Sequence, residues 1–336
     1  MKLAGKSVLI TGGAGFIGSH LVEELSDCRR RILDDFSTGQ RQNLASVPGE
    51  LDILQGDVRD DQLVAKALEG IDIVFHLACR GVRHSIGNPQ ANHEVNASGT
   101  LTLLRAAHRL GIKRLVHVSS SEVYGSARQV PMTEDHPCFP ETVYGAAKLA
   151  GEAYARAYHR TYQLPIVVVR PFNNFGPRSH YEGDAGEVIP RFVVWALNGK
   201  PPVIFGDGKQ TRDFLYVKDT AYWLRRIAEA DDAIGQTINL GSGIETSILE
   251  LATIIYEEAN GRKLQPSYLP PRPGDVRRHL AGVERARHLL EFSTRTTLRE
   301  GIRALLDFLR SGSKSPAELL AQISERNWTE QPPTPR

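Results

Sequence analysis

Short apolar runs and longer amphipathic stretches alternate along the first half of the chain. Residues 6–11 (KSVLIT), 51–55, 71–77 (IDIVFHL), 114–119 (RLVHVS) and 166–170 (IVVVR) are apolar runs of strand length. A shorter one, Ile32-Leu33, ends at Asp34. Residues 19–25, 61–68 and 88–110 carry a helical pattern. Residues 144–162 are rich in Ala, with Glu, Arg and Lys and no Pro, and read as a further helix. Strands alternating with helices predict an α/β fold built on a parallel, doubly wound sheet. Ligands of such sheets lie beyond the carboxyl ends of the strands. That topology gathers residues 12–18, Asp34, Asp57, residues 77–79, residues 119–122 and residues 171–173 along one edge.

Length and composition narrow the class. A chain of 336 residues that is 41% hydrophobic predicts two domains, or one large domain with an appendage. With 41 basic and 39 acidic residues, the net charge is +2, which argues for neither nucleic acid nor a membrane surface as partner. No apolar run approaches membrane-span length. The N-terminal residues lead straight into a strand, so no signal peptide and a cytoplasmic location are expected. Cys28, Cys79 and Cys138 share no metal-type spacing, and the scattered histidines form no ligand set. The expectation is a reduced protein with no metal.

Two motifs carry chemistry. Gly12, Gly13, Gly15 and Gly18 stand between a strand and a helix, where glycines let backbone approach a pyrophosphate and a helix N-terminus supplies N–H donors. Asp34, at the end of the next apolar stretch, is placed to bond the adenosine ribose. Arg29, Arg30 and Arg31 could receive a 2′-phosphate, but Asp34 and Asp35 would repel it. The arginines are therefore read as a solvated turn between helix and strand, and NAD as the cofactor. In the second motif, Tyr144 and Lys148 stand one helical turn apart on one face. An ammonium near a phenol favours the phenolate, which could exchange a proton with a sugar hydroxyl.

Together with these motifs, the stretches TGGAGFIGSHL, LDDFSTG, GDVRD, FHLA, EVNASGT, HVSSSEVYG, YGAAK, RPFNNFGPR, GDGKQTRDFLYVKD and PRPGDVRR follow a recognisable order. The chain resembles the extended short-chain dehydrogenase/reductases, in the branch of NAD-dependent nucleotide-sugar epimerases and dehydratases. The resemblance implies a Rossmann domain, mainly residues 1–172, and a smaller α/β substrate-binding domain, mainly residues 173–310, with interleaved segments. Residues 311–336 find no counterpart; residues 315–325 read as an extra helix and 329–336 as a frayed Pro-rich tail. The resemblance makes Tyr144 the base for the sugar O4 proton, Lys148 its partner and a ligand of the nicotinamide ribose, and Ser120 a hydrogen-bond partner of O4. Gly12, Gly15, Phe16, Ile17, Asp34, Asp35, Asp57, Val58, Leu77, Ala78 and Pro171 would line the dinucleotide, with Ser37, Thr38 and Gly39 at its adenosine end. Ser121, Asn173, Arg212 and Arg272 would face the nucleotide sugar, the last three its diphosphate. Phe205 resembles the residue that packs on the nucleobase, although an aromatic there fits a core equally well. The substrate expected is a nucleotide sugar, a UDP-sugar first. The helices near residues 97–110 and 143–162 resemble a family dimer interface, so a homodimer is expected.

The family's first step makes a 4-keto sugar with an acidified C5–H. Glu122 follows Ser120 by two residues. If the strand continued through both, they would share a face. A carboxylate there could remove the C5 proton and drive loss of the C6 hydroxyl, which makes a dehydratase the expectation. GDP-mannose dehydratases and UDP-glucuronate decarboxylases carry Ser-Glu at this place, whereas typical 4-epimerases carry no acid. Against that, LDDFSTG and GDGKQTRDF look epimerase-like, so 4-epimerisation and decarboxylation stay as alternatives. Residues 80–85 and 178–184 are polar segments of the kind that close over substrate, and their cations would also suit a uronate. Arg170 either faces the cofactor or anchors its loop. A simple alcohol dehydrogenase would leave Asn173, Arg212 and Arg272 idle, and a non-catalytic sensor has no use for Ser120, Tyr144 and Lys148.

Overall fold

In the computed structural model, β1 (Ser7–Thr11) is buried almost throughout and runs directly into the glycine turn and α1 (Phe16–Glu24). The helix starts three residues earlier than its apolar pattern suggests, so its N-terminus meets the glycines. The structure describes residues 1–261 and 265–328; the tail expected at 329–336 lies outside them.

The next strand corrects the reading of the arginines. β2 (Arg29–Asp34) contains all three, and they are no solvated turn. Arg30 is buried and donates to Val22 O (3.0 Å) and Pro48 O (2.6 Å). Arg31 pairs with Asp52 at 2.6 Å on the neighbouring strand. Arg29 stays exposed and donates to Ser7 Oγ at 3.1 Å; acceptors within this chain for all three heads let a basic triplet occupy a parallel strand.

After a short helix the pattern did not predict, α2 (Gln42–Ala45), the alternation proceeds as expected: β3 (Leu51–Gln55), α3 (Asp61–Leu68) and β4 (Ile73–His76). Asp60 caps α3, accepting from Gln62 and Leu63 amides. The long helical stretch after residue 88 is segmented. It comprises α5 (Pro89–His93), a π-helical turn at Glu94–Ser98, and α6 (Gly99–Arg109), and a further short helix, α4 (Val82–Gly87), precedes it. β5 (Arg114–Val118), α7 (Val143–Tyr162) and β6 (Ile166–Pro171) complete the first half.

Beyond it come β7 (Asn173–Phe175), α8 (Val188–Leu197), β8 (Val203–Phe205), β9 (Thr211–Tyr216), α9 (Val217–Glu229) and β10 (Thr237–Leu240). They are followed by β11 (Glu245–Ser247), α10 (Ile248–Asn260), β12 (Ser267–Leu269), α11 (Glu284–Leu290), α12 (Leu298–Ser311) and α13 (Pro316–Leu320). The main sheet has seven parallel strands in the order β10-β6-β5-β4-β1-β2-β3. Strand order reverses between β1 and β4, which opens a crevice at their carboxyl ends. β10 returns from the second half to pair with β6. A small sheet, β11-β9-β7, and the pair β12-β8 stand beside it. Their core, with Phe192, Trp195, Leu251, Ile255 and Leu305, is separate from the cores on the two faces of the large sheet. The extra helix after residue 315 is real but shorter than expected. Ser315 and Glu318 form its capping box, and Leu319 is buried in the second core.

Candidate active site

The residues predicted from sequence converge. Every residue to which the family resemblance gave a role toward cofactor, substrate or proton transfer lines one cavity of about 650 Å³; of the two polar segments, residues 80–84 also line it, whereas residues 178–184 contribute His180 alone. Its walls come from the carboxyl ends of the main strands on one side and from α8, β8 and β9 on the other.

The glycine turn is built for close approach. Gly12 has φ +71°, and a Cβ on it would lie 2.8 Å from Ala78 N. A Cβ on Gly18 would lie 2.1 Å from Gly12 O, so only glycine lets α1 seat on the turn. Gly15 caps α1 without a side-chain bond, which leaves the first helical N–H groups free of a side-chain acceptor. A dinucleotide pyrophosphate fits this cradle in charge and in space. Asp34 accepts from Ala14 N and Phe36 N, both at 2.8 Å, and burial pushes its carboxyl up. Asp35 holds Arg80 (3.1 Å) and the Ser37 amide (2.9 Å). Asp57 pairs with Arg59 at 2.7 Å, which holds its carboxyl down.

Tyr144 and Lys148 are both buried on one stripe of α7. Thr142 caps this helix by accepting from Gly145 N at 3.2 Å. Lys148 Nζ donates to Val118 O at 2.6 Å. Burial raises the Tyr144 phenol well above its ordinary value; Cys79 adds to this and the Ser120 hydroxyl opposes it. Burial also lowers the Lys148 ammonium. The expected pull of Lys148 toward a phenolate is therefore outweighed in this chain by desolvation. The phenol is thus held neutral, and it can act as a base only once it has lost its own proton, which positive charge brought against it would favour.

Ser120 and Glu122 do not share a strand face. Ser120 is extended, but Ser121–Val123 is a single 3-10 turn. Ser120 Oγ caps that turn, accepting from Glu122 N at 3.2 Å. The turn rests on α7 where a Cβ at Gly145 would meet Glu122 O at 2.5 Å. Gly145 was thus the sequence signal for a tight crossing here. Glu122 still lines the cavity, by way of the turn and not of strand alternation.

In the other half, Arg212 and Arg272 each donate to Asp275 Oδ1 at 2.7 Å. Two guanidinium groups sharing one carboxylate keep net positive charge toward the cavity. Asn173 Nδ2 donates to Asp213 O at 3.2 Å. Phe205 meets Trp328 edge-on, with ring centroids 4.9 Å apart. Arg170 is resolved as an anchor, bound to Glu152 inside the protein.

Several lining residues escaped sequence reasoning. Burial pushes Arg83 down to about 10, helped by the Arg272 charge, and pushes Glu187 up. Arg83 belongs to the segment expected to close over substrate, although no individual role was read for it. Glu187 just precedes α8, a position that could have marked it as facing out of the core. Trp328 and Asn327 lie in the C-terminal segment, where no local pattern points to a cleft. Among the described residues, no group of three His, Cys, Asp or Glu is placed to hold a metal, and no helix is long and apolar enough to cross a membrane.

Comparison with known proteins agrees with this geometry. The family model described as GDP-mannose 4,6 dehydratase matches residues 9–305. A UDP-glucose 4-epimerase of Mycolicibacterium smegmatis is 38% identical over 313 residues, covering 91% of this chain and 99% of the relative. The structure of a UDP-N-acetylglucosamine 4-epimerase from Methanobrevibacter ruminantium M1 superposes with a TM-score of 0.86 at 36% identity, covering 93% of this chain and 99% of that one. A dTDP-glucose 4,6-dehydratase from Streptomyces venezuelae, solved with NAD bound, gives a TM-score of 0.85 at 31% identity, covering 90% and 97%. The cradle at Gly12 and Gly18, the buried Asp34 and the Ser120, Tyr144 and Lys148 group thus belong to a member of the extended short-chain dehydrogenase/reductase family, among its NAD-dependent nucleotide-sugar epimerases and dehydratases.

Proposed function

We propose that the protein inverts C4 of a UDP-linked sugar, a redox-neutral 4-epimerisation. The observation that carries this is the meeting of Ser120, Tyr144 and Lys148 with Arg212 and Arg272 in one cavity. Ser120 and Tyr144 hold the O4 hydroxyl, and Tyr144 takes its proton and later returns it. Lys148, tethered to Val118 O, orients the ribose side of the site. NAD, when bound, supplies a hydride acceptor at C4 that can give back what it received. Arg212 and Arg272 grip the diphosphate, so the sugar can turn while the nucleotide stays held. Support for epimerisation over elimination is twofold. The strand argument that aligned Glu122 with Ser120 is gone, and epimerases are prominent among the relatives.

A second reading, 4,6-dehydration, keeps one specific observation in its favour. Glu122 lines the same cavity and could serve C5 or C6. Incubation with UDP-, dTDP- and GDP-sugars, uronates included because Arg83 stands in the cavity, followed by mass spectrometry and NMR, separates the outcomes. An unchanged mass with inverted C4 supports the proposal. Loss of water transfers it to the dehydratase reading, loss of carbon dioxide to decarboxylation, and net NADH release to a plain dehydrogenase.

The active form is proposed to be a homodimer through α6 and α7. Leu110, Val143 and Tyr162 are exposed apolar groups at the ends of these helices, and Tyr158 packs against Tyr162 with ring centroids 4.9 Å apart. Sedimentation showing only monomer at micromolar concentration would count against it.

A further inference from the structure

The C-terminal segment begins where the family match has ended, yet it is tied along its length to the substrate half of the cleft. Pro316 O accepts from Asn198 Nδ2 at 2.8 Å, at the end of α8. Leu319 is buried in the second core. Arg191, a buried residue of α8, donates to Ser324 O (2.8 Å) and Glu325 O (3.0 Å). Asn327 Nδ2, also buried, donates to Gly186 O at 2.6 Å, in the loop that lines the cavity. Side-chain bonds to successive backbone carbonyls hold a chain segment in one path, and here that path ends with Trp328 in the cavity wall.

Trp328 meets Phe205 with planes at 72° and centroids 4.9 Å apart. The pair forms a corner, one ring offering its face and the other its edge. A nucleobase is flat, has a π-face and carries polar groups around its rim. Against such a corner it can stack on one ring and take edge contact from the other. Gln210 Nε2 donates to Phe205 O at 2.6 Å and steadies that side of the corner. Arg212 and Arg272 line the same half of the cavity, where a diphosphate attached to that base would reach them.

We propose that residues 312–328 form a strap completing the nucleobase end of the substrate site, and that Trp328 binds the base of the nucleotide sugar against Phe205. This deepens the nucleotide-sugar reading and rests on it. The strap makes affinity for the nucleotide depend on a segment outside the matched part of the fold.

The test is binding, read separately for the two ligands of the full-length protein. UDP, dTDP, GDP and NAD are titrated by calorimetry into wild type, Trp328→Ala and Trp328→Phe. The expected result is a loss of about ten- to hundredfold in affinity for the preferred nucleoside diphosphate in Trp328→Ala, as for a lost base-stacking ring. Trp328→Phe should recover most of it, and NAD affinity should be unchanged in both, which also reports an intact fold. With substrate, KM should rise far more than kcat falls. Wild-type affinity for the nucleoside diphosphate in Trp328→Ala overturns the strap. Equal losses for NAD and the nucleoside diphosphate overturn it too, since they would mark a structural role. If wild type binds NAD but none of the three diphosphates, the nucleotide-sugar reading fails and the strap's role fails with it.

Discussion

Glu152 and Arg170 form a two-pronged ion pair under the helix that carries Tyr144. Arg170 Nε reaches Oε1 at 2.9 Å and Nη2 reaches Oε2 at 2.7 Å, with both side chains buried. Glu152 lies two turns beyond Tyr144 and one beyond Lys148 on the same buried stripe. Arg170 is on β6 and stacks over the Tyr124 ring, 4.6 Å from its centroid. The pair therefore locks α7 to the strand that leads to Pro171. Burial works to raise the Glu152 carboxyl, yet Arg170 overrides it and holds the group below its ordinary value. Glu152→Gln would leave Arg170 buried without its counter-charge. The expected cost is about 3–5 kcal/mol in a denaturant melt. A melt unchanged from wild type would remove the locking role.

A second prediction concerns acid stability. Glu23 on α1 binds Arg178 and His20, tying the polar segment that follows β7 to the nucleotide half. Burial raises this carboxyl, but His20 and Arg178 prevail and lower it from 4.5 to about 2. Its folded pKa is thus below its unfolded one, so the unfolded chain takes up the proton first. The stability it contributes is fully present above about pH 4.5 and is lost as pH falls toward about 2. Tm measured across that range should fall less steeply in Glu23→Gln than in wild type. Parallel curves would show that Glu23 contributes nothing to the slope.

The cofactor cradle gives a third. Gly18→Ala puts a Cβ against Gly12 O, and the partners are both backbone. The turn must open, at a cost of about 1–3 kcal/mol in stability, and NAD affinity should drop with it. Titration showing wild-type NAD binding would mean that α1 can shift without disturbing the turn.

Proton transfer is tested at Tyr144. Tyr144→Phe keeps the ring in its buried place and should keep NAD binding. Turnover should fall by at least about a hundredfold, the scale of a lost general acid–base group. Near-normal turnover would take the role from Tyr144.

Glu122 separates the two chemistries proposed. Its amide, not its carboxylate, is bonded to Ser120, so Glu122→Gln leaves the turn in place. A 4-epimerase should then still turn over its UDP-sugar with no change of mass. Enzyme-bound NADH building up in this variant would show a stalled second step and favour the dehydratase.

Much of the site was legible before any coordinates. Gly12, Gly15 and Gly18 carry local backbone demands that survive in any context, and Asp34 follows them at the next strand end. The repeating strand and helix pattern brought these and Tyr144 to one crevice, because a parallel sheet has only one edge at its carboxyl ends. Those features rest on neighbours in sequence, and sequence alone determined them. Burial and distant contacts decided the rest. Arg29, Arg30 and Arg31 became a strand because the Ser7 hydroxyl, carbonyls and Asp52 accept their heads. Ser120 and Glu122 parted because the chain turns where Gly145 lets it cross α7. Burial raises the Tyr144 phenol, against the phenolate that its spacing from Lys148 suggested. Trp328 reached Phe205 across more than a hundred residues through hydrogen bonds to carbonyls, and a backbone carbonyl has no signature in the sequence.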